Sequence, residues 1–307
     1  LIVDNASEPA VVEYLRAFAA RHPHVTLILN TENLGWVRAV NQGIRRATAP
    51  YACWLNNDTV ATEGWLAALL DVAEANPRIG LLNPSWKLER ESLEAFGERA
   101  HQSRGIASGS HEVSDCTGAC LLARRRTLEE IGLLDETYGT WGLDDADLCR
   151  RAVKAGWRCA QVHHAFVYHW ENVSVSQIPD YGLKRAAMRR RFAAQWGPPR
   201  HLVILWDPEG GARRGNPQED AEILLGLARF GVGVHVWILE DPRRGDGSGR
   251  PSWLARLQDA SHADLRIRVM RPARWLPRAV GRGLIRLWCL ALLAARRTKS
   301  DVKRYQA

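Results

Sequence analysis

Apolar runs alternate with helically spaced apolar positions along the first part of the chain. Val12, Leu15 and Ala19 recur at the spacing of one helix face. Two further segments carry similar helical patterns, and three short apolar runs separate them. The runs are "LIVD", "VTLILN" and "YACWLNNDT"; the helical segments are "AVVEYLRAFAARH", "WVRAVNQGIRRAT" and "GWLAALLDVAEANP". This βαβαβα alternation predicts an α/β fold with a mainly parallel sheet and helices on both faces.

The pattern becomes less regular after this region and then resumes. We expect residues 84–115 to form an irregular polar loop. "TGACLLARRRTLEEIGLLDE" predicts a strand followed by a helix, and "DDADLCRRAVKAG" predicts an acidic helix. "RCAQVHHAFVYHW" predicts a strand that ends in a histidine, and "DYGLKRAAMRRRFAAQWG" predicts a basic helix.

A second α/β unit begins after Pro199. Two apolar runs, "HLVILW" and "VGVHVWIL", flank the helical pattern "QEDAEILLGLARFG". The turn between the first run and the helix is glycine-rich but lacks the G-x-G-x-x-G order, so it indicates a nucleotide loop only weakly. We therefore predict one domain over 1–199 and a partial, Rossmann-like second domain over 200–307.

Charge is divided unevenly between these two domains. Residues 1–199 carry a net charge of −1, and residues 200–307 carry +9. A basic C-terminal third favours phosphate-rich partners or an anionic membrane surface. An arginine-rich surface that only contacts solvent explains the same bias.

The spacing of the cysteines and the longest apolar run indicate in which cellular compartment the protein is found. None of the six cysteines forms a CxxC pair, which favours a reduced, cytoplasmic setting. The run "GLIRLWCLALLAARR" is too short and too arginine-flanked to span a bilayer, so we expect a core helix there. The alternative is a helix lying on the membrane, at its inner face.

Three aspartates, Asp144, Asp145 and Asp147, crowd the start of the acidic helix. Helix capping is one explanation, since a carboxylate there accepts backbone N–H bonds and complements the helix dipole. Asp147 can pair with Arg151 at the i,i+4 spacing. Capping accounts for one or two acids, and a catalytic role is the alternative for the others.

Other polar side chains follow the predicted strands. Asp4 and Asn5 follow the first strand, and Asn57 and Asp58 follow the third. Ligands collect beyond the carboxyl ends of strands in sheets of this kind. Carboxylate and amide oxygens suit a hard divalent cation. His169 ends a later strand. Each residue has a structural explanation alone, as a turn former or a hydrogen-bonded histidine, but together they favour a shared site.

Seven motifs in order resemble the family-2 glycosyltransferases of GT-A fold, in particular the rhamnosyltransferase-like bacterial members. They are "VDNAS", "NLGWVRAVNQGI", "LNNDT", "TGACLLARR", "IGLLDETY", "WGLDDADLCRRAVKAGWR" and "VYHWENVSVS". The resemblance covers about residues 1–197, and it implies that the first domain lacks the family's opening strand. The second domain resembles, faintly, the first strands of a GT-B glycosyltransferase.

The resemblance implies a nucleotide-diphosphate-sugar donor, an acceptor hydroxyl on a glycan or lipid-linked glycan, and Mg²⁺ or Mn²⁺. It implies that Asp145 is the general base, with Asp144 beside it as a second catalytic carboxylate. Asp58 takes the place of the metal-binding aspartate, and His169 that of an additional metal ligand. Asn56 stands where the family's D-x-D motif has its first acid.

The remaining expected contacts also follow from the matched motifs. The donor would be bound by Asp4, Asn5, Ser7, Asn33, Gly35, Arg38, Asn41, Asn57 and Asp58. The acceptor would lie against Trp141, Gly142 and Gly118. An inverting transferase in bacterial polysaccharide or glycan synthesis is the function we expect, with no nucleic acid partner. The alternative from another class is a non-catalytic basic adaptor that binds a membrane surface or a polyanion through residues 200–307.

Overall fold

The computed structural model divides the chain into two compact units. Unit 1 comprises Leu1–Arg200 with two short segments, Ala228–Val232 and His262–Asp264, and unit 2 comprises the rest. The structure describes residues 1–88, 90–103, 109–139, 142–170, 180–206, 217–239 and 262–270, with Leu254 and Leu257. No helix among these residues is both long and apolar enough to cross a membrane.

The first half of unit 1 follows the predicted alternation with one addition. Its elements are β1 (Ile2–Asp4), α1 (Pro9–Arg21), β2 (Leu27–Leu29), α2 (Trp36–Arg46), β3 (Tyr51–Leu55), β4 (Thr59–Ala61), α3 (Trp65–Ala75) and β5 (Ile79–Ser85). The short strand β4 is the addition, and it follows the "LNNDT" turn directly.

The second half of unit 1 contains more regular structure than the sequence indicated. Its elements are α4 (Leu93–Gln102), β6 (Ser110–Val113), β7 (Cys120–Arg124), α5 (Arg125–Ile131), a 3₁₀ helix (Glu136–Tyr138), α6 (Asp144–Lys154), β8 (Arg158–His169) and α7 (Tyr181–Trp196). The prediction of an irregular segment over 84–115 is wrong for α4 and β6. Phe96 and Ala100 of α4 are buried against Phe166 and Tyr168 of β8, which explains the helix.

Six strands form the main sheet, in the order β3-β7-β5-β8-β4, with β6 also paired to β8. Only β5 and β8 run parallel, and the other four pairings are antiparallel. A separate parallel pair joins β1 and β2. The α/β class is confirmed, but the prediction of a mainly parallel sheet is wrong. Strand β7 lies between β3 and β5 in the sheet, although it follows α4 and β6 in the chain. The order of the strands along the chain therefore does not predict which neighbours are parallel.

Helices cover both faces of the sheet, as predicted. Neighbouring strand residues point to opposite faces, and Leu81 and Leu121 pack in one core while Leu82 and Leu122 pack in another. The first core receives side chains of α2, α5 and α6, and the second receives those of α3.

A buried ion pair fixes α6 against the rest of unit 1. Asp147 is fully buried, and its Oδ2 lies 2.7 Å from Arg151 Nε. The other oxygen, Oδ1, accepts hydrogen bonds from Gln195 Nε2 at 3.0 Å and Trp196 Nε1 at 2.8 Å. Arg151 also donates to the carbonyl oxygens of the 131–133 segment. The pairing predicted from the i,i+4 spacing is present.

Unit 2 contains a parallel three-stranded sheet in the order β11-β10-β9. Its strands are β9 (His201–Trp206), β10 (Gly233–Leu239) and β11 (Leu265–Met270), and helix α8 (Pro217–Arg229) lies between the first two along the chain. The predicted glycine-rich turn and the apolar run near residue 290 lie outside the described residues.

Replacing Asp147 by Asn should destabilise the protein by about 3 kcal/mol, since it removes the fully buried counter-charge of Arg151, whose side chain is 20% exposed. Urea unfolding followed by circular dichroism measures the change. Arg45→Ala is the control, because its pair with Glu136 is exposed and should contribute at most about 1 kcal/mol. Similar losses for the two variants would contradict the importance of the buried pair.

Candidate active site

The site lies where the loops after β1, β3 and β6 meet the first turn of α6. Asn56 N donates to Ala119 O at 2.8 Å, which joins the "LNNDT" turn to the "TGAC" loop. A Cβ atom on Gly118 would lie 3.8 Å from both Asp145 Oδ2 and Trp36 Nε1. The start of α2, the "TGAC" loop and the start of α6 are therefore in contact at one edge of the sheet.

Asp145 is held by the "TGAC" loop. Its Oδ2 accepts a hydrogen bond from Gly118 N at 2.9 Å, and its Oδ1 accepts one from Ala146 N at 2.8 Å. The side chain remains partly exposed. Burial raises the pKa of Asp145 to about 6, against the lowering effect of the Gly118 N–H bond. The carboxylate is therefore ionised at neutral pH and is more basic than an ordinary aspartate.

Asp144 is almost fully buried beside it, with 3% of its surface exposed. Its Oδ1 accepts a hydrogen bond from Gly142 N at 2.8 Å. Gly142 has φ 103°, a conformation that side chains rarely adopt, so glycine at this position lets the chain turn into α6. Burial, followed by the neighbouring Asp145 charge, raises the pKa of Asp144 to about 7. The two acids form one coupled pair in which the first proton leaves more easily than the second.

Asn83, which the sequence analysis missed, holds the "TGAC" loop in place. This buried amide accepts from Thr117 N at 2.6 Å and donates to Thr117 O at 3.0 Å and Cys120 O at 2.7 Å. Gly118 lies inside the loop that these bonds close. A single amide within the apolar run "IGLLNP" was the signal in the sequence.

Asp58 and His169 are brought together by the pairing of β4 with β8. Thr59 is opposite His169 in that ladder. Asp58 Oδ1 lies 3.1 Å from His169 Nε2, and Asn56 Nδ2 lies 3.5 Å from the same nitrogen. The sequence predicted these residues as metal ligands although they are more than a hundred positions apart.

This cluster fits a hard divalent cation. The side-chain oxygens Asn56 Oδ1 and Asp58 Oδ1 are buried, and apart from the approach of His169 Nε2 to Asp58 Oδ1 neither has a hydrogen-bond partner among the described residues. Buried polar atoms normally have partners, so these two oxygens and the imidazole nitrogen are a suitable set for Mg²⁺ or Mn²⁺.

A hydrogen-bonded network organises the loops after β1 and β2. Asn5 Oδ1 accepts from Leu34 N at 3.0 Å, and Asn5 Nδ2 donates to Asn33 Oδ1 at 2.9 Å. Asn33 Oδ1 also accepts from Gly35 N at 2.9 Å, just before α2 begins. The network fixes the entry into α2 and so the position of Trp36.

Asp4 and Asn57 line one cavity of about 700 Å³ between β1 and β3. Asp4 is buried, and its Oδ2 accepts a hydrogen bond from Ser7 N at 3.2 Å. Asn5 and Trp36 line the same cavity, and the remaining lining is largely apolar. The donor-binding residues predicted from two separate motifs therefore share one space.

Two predicted donor-binding residues face the 3₁₀ helix instead. Asn41 is 1% exposed, and its amide bonds to the main chain of Leu134 and to Glu136 Oε1. Arg38 Nε lies 3.5 Å from Glu136 Oε2. Asn41 therefore ties α2 to the segment before α6. Trp141, predicted to contact the acceptor, lies outside the described residues.

Comparisons with known proteins show which family the N-terminal part of the chain matches. Residues 1–132 match the family described as "Glycosyl transferase family 2". This match covers the first 132 residues of unit 1 and supports a family-2 glycosyltransferase domain there. The prediction from the seven motifs is confirmed, and so is the prediction that the protein is a glycosyltransferase. The sheet with helices on both faces agrees with the GT-A fold that the resemblance implies.

Individual relatives are also similar to this chain. The chain is 29% identical over 214 residues to the N-acetylglucosaminyl-diphospho-decaprenol L-rhamnosyltransferase of Mycobacterium tuberculosis, covering 58% of this chain and 68% of that one. It is 28% identical over 183 residues to the pre-mycofactocin glycosyltransferase of the same organism, covering 55% and 37%. The mannosyltransferase PcManGT from Pyrobaculum calidifontis, solved with GDP-Man and Mn²⁺, has a TM-score of 0.44 at 21% identity, covering 57% and 49%.

The raised pKa of Asp144 predicts how the stability of the protein depends on pH. Its pKa is about 7 in the folded protein against an ordinary 3.8, so the folded state binds this proton more tightly than the unfolded state. The ionised carboxylate therefore destabilises the fold above pH 7, and this effect disappears as pH falls below about 4. Asp144→Asn should raise the free energy of unfolding by roughly 3–4 kcal/mol at pH 8 and leave it nearly unchanged at pH 4, because each pKa unit between 3.8 and about 7 corresponds to about 1.4 kcal/mol.

Urea unfolding at the two pH values measures this difference. Asp71→Asn, at an exposed position of α3, is the matched control and should change stability by less than about 0.5 kcal/mol at both. An Asp144→Asn variant that is less stable than the wild type at pH 8 would contradict the raised pKa.

Proposed function

We propose that unit 1 is an inverting glycosyltransferase that uses a nucleotide-diphosphate sugar and an acceptor hydroxyl in bacterial polysaccharide or glycan synthesis. One observation carries this proposal. Asp145 is a partly exposed carboxylate, held by Gly118 N–H, with a pKa raised to about 6. Such a group is ionised at neutral pH and basic enough to take a proton from an attacking hydroxyl.

Asp145 is the base in this mechanism, and Asp144 supports it. The Gly118 and Ala146 N–H bonds fix both oxygens of Asp145, so the carboxylate need not reorganise as the acceptor loses its proton. Asp144 accepts a hydrogen bond from Gly142 N, which fixes the turn into α6, and burial together with the Asp145 charge raises the pKa of Asp144 to about 7. A single base acting on one attacking hydroxyl gives one displacement and hence inversion at the sugar carbon.

Asp58 and His169, with Asn56, are the residues that would hold Mg²⁺ or Mn²⁺. When bound there, the cation would act as a Lewis acid on the diphosphate leaving group. The β4–β8 ladder holds Asp58 and His169 together, so a cation that they bind would have a fixed position. The Asn56–Ala119 hydrogen bond then sets this end of the site relative to Gly118 and Asp145.

This arrangement suggests where the nucleotide-sugar donor and the acceptor bind. Asp4, Asn5, Ser7 and Asn57 bind the nucleotide part at the polar end of the cavity, and Asn33 and Gly35 hold that loop. Gly118 and Gly142 lie beside the acids. A side chain on Gly142 would meet Met188 Sδ at 3.0 Å, whereas one on Gly118 would make only ordinary contacts with Asp145 and Trp36, so the acceptor lies on the Gly118 side of the acids. This part of the proposal depends on the family roles of the matched residues as well as on their placement.

We propose a lipid-linked glycan as the acceptor and the inner face of the cytoplasmic membrane as the place of reaction. The rhamnosyltransferase relative carries a decaprenol diphosphate in its name. Helix α7 supports a peripheral contact, since it has five basic residues, no acidic residue and no buried side chain. Basic surface segments are attracted to anionic lipids by about 1 kcal/mol per charge.

Asp145→Asn should lower the transfer rate by at least about a hundredfold, because the amide oxygen can keep one of the two hydrogen bonds from Gly118 N–H and Ala146 N–H but takes up no proton. Donor binding and circular dichroism should be unchanged. Asp144→Asn should lower the transfer rate by a smaller factor. A transferase assay with a panel of nucleotide sugars measures both rates. Retained activity in Asp145→Asn with loss in Asp144→Asn would move the base to Asp144, and retained activity in both would reject a catalytic carboxylate here.

The wild-type rate should fall as pH drops through about 6, since Asp145 must be ionised to accept a proton. The measurement is kcat/KM between pH 5 and 8 with a donor shown to bind. The residual kcat/KM of Asp145→Asn should not fall as pH drops through about 6. If kcat/KM falls in the same way with pH in the wild type and in Asp145→Asn, the titrating group is not Asp145.

Asp58→Ala should abolish the dependence of donor binding on Mn²⁺, and His169→Ala should weaken it by about tenfold or more. Calorimetric titration of nucleotide sugars with and without EDTA measures this dependence. Glu63→Ala, at an exposed acid on the far side of β4, is the control. Binding to the wild type that EDTA leaves unchanged would contradict the metal site.

A further inference from the structure

Three cysteine side chains converge in the core behind the acids of α6. Cys116 follows β6, Cys149 lies on α6, and Cys159 lies on β8. Their Sγ atoms all lie within 4.8 Å of one another, and each residue is at most 1% exposed. All three are free thiols. They come from three separate elements and none of them is used by the proposed mechanism.

We propose that Cys116, Cys149 and Cys159 form a binding site for a thiophilic d¹⁰ cation, of the Zn²⁺ or Cu⁺ class. This site is distinct from the Asp58–His169 cluster, and the proposal does not rest on the proposed function.

The size of the cluster suits such an ion. In an equilateral triangle with sides of 4.8 Å, the upper bound on the three separations, the centre lies about 2.8 Å from each corner. A Zn–S bond is about 2.3 Å, so each sulfur would move inward by roughly 0.5 Å at most. Rotation of a Cys side chain can supply a displacement of that size.

The chemistry of the donors selects the ion. Thiolates prefer Zn²⁺ and Cu⁺, whereas Mg²⁺ and Mn²⁺ prefer oxygen ligands. No His or carboxylate joins the three sulfurs as a fourth member of the cluster among the described residues. Three sulfurs match the trigonal geometry open to Cu⁺, or a Zn²⁺ whose fourth position is filled from outside these side chains.

One backbone N–H group and one buried arginine lie beside the cluster. Cys149 Sγ accepts a hydrogen bond from Cys116 N at 3.1 Å, an outer contact of the kind that orients metal-bound ligands. The Arg150 guanidinium, next to Cys149 in sequence, donates to Ser114 O at 2.8 Å and pairs with Asp115 at 3.1 Å. A cation is therefore held against the segment that carries Cys116.

An ion at this position would connect the elements that present the proposed base. Cys149 is one helical turn beyond Asp145, and Cys116 is two residues before Gly118, whose N–H bonds Asp145. Each thiol that binds would release its proton to solvent, so binding is expected to weaken as pH falls. Because the ion binds only the folded arrangement, it should also stabilise the protein.

Titration of the reduced, metal-free protein with Cd²⁺ tests the proposal. We expect a thiolate-to-metal charge-transfer band that saturates at one Cd²⁺ per chain, with a rise in Tm. Cys159→Ala should lose the band and weaken Cd²⁺ binding at least tenfold, while Cys53→Ala, at an exposed cysteine of β3, should behave as the wild type. Competition with Zn²⁺ and with Cu⁺ then identifies which ion binds more tightly.

Two readouts on the wild type keep the test decisive if Cys159→Ala fails to fold. X-ray absorption of the Cd²⁺ complex should give three sulfur neighbours, and thiol counting in denaturant should give all six cysteines in reduced form. Fewer than three sulfurs, a charge-transfer band that survives in folded Cys159→Ala, or a count lowered by a disulfide within the cluster would each overturn the proposal. An absent band would show that the three thiols are core side chains only.

Discussion

The buried pair of Asp147 and Arg151 is the interaction on which the site depends most. One oxygen of Asp147 binds the guanidinium, and the other is bonded by the ends of two side chains of α7. Arg151 in turn bonds three carbonyls of the segment that leads to the 3₁₀ helix. Because breaking a buried pair leaves an uncompensated charge, this arrangement tolerates little movement of α6. Asp144 and Asp145, one turn earlier, are therefore held at a fixed place.

The three acids at the start of α6 have three different environments, which explains why so much negative charge is tolerated there. Asp147 is neutralised by an arginine, while Asp144 and Asp145 are stabilised mainly by backbone N–H groups and the helix terminus. Those interactions offset only part of the cost of burial, so both pKa values are raised. Two coupled carboxylates near neutrality next to a cleft are a common feature of acid–base sites. Helix capping and catalysis thus use the same residues.

Much of unit 1 could be predicted from the sequence, because apolar periodicity and turn residues report local structure. The helices at Pro9–Arg21 and Trp36–Arg46 and the long strand at Arg158–His169 follow directly from their patterns. The Asp147–Arg151 pair followed from spacing alone. The meeting of Asp58 with His169 was predicted from the family resemblance, since nothing local connects them.

Strand direction and the supporting residues could not be predicted in the same way. The insertion of Cys120–Arg124 between two earlier strands depends on long-range pairing, which the βαβ alternation does not encode. Asn83 looks like an isolated polar residue in an apolar strand until its bonds to Thr117 and Cys120 are seen. The cysteines show no short spacing, so their convergence is visible only in three dimensions.

The central claim is that Asp145 is a carboxylate made basic by its surroundings. Carbon-detected NMR of protein labelled at the aspartate carboxyl carbons measures this directly, with Asp144→Asn and Asp145→Asn spectra to assign the two signals. The structure predicts that both signals titrate in coupled steps near pH 6 and 7. Titration of the Asp145 signal near pH 4, as for an ordinary exposed aspartate, would contradict the account.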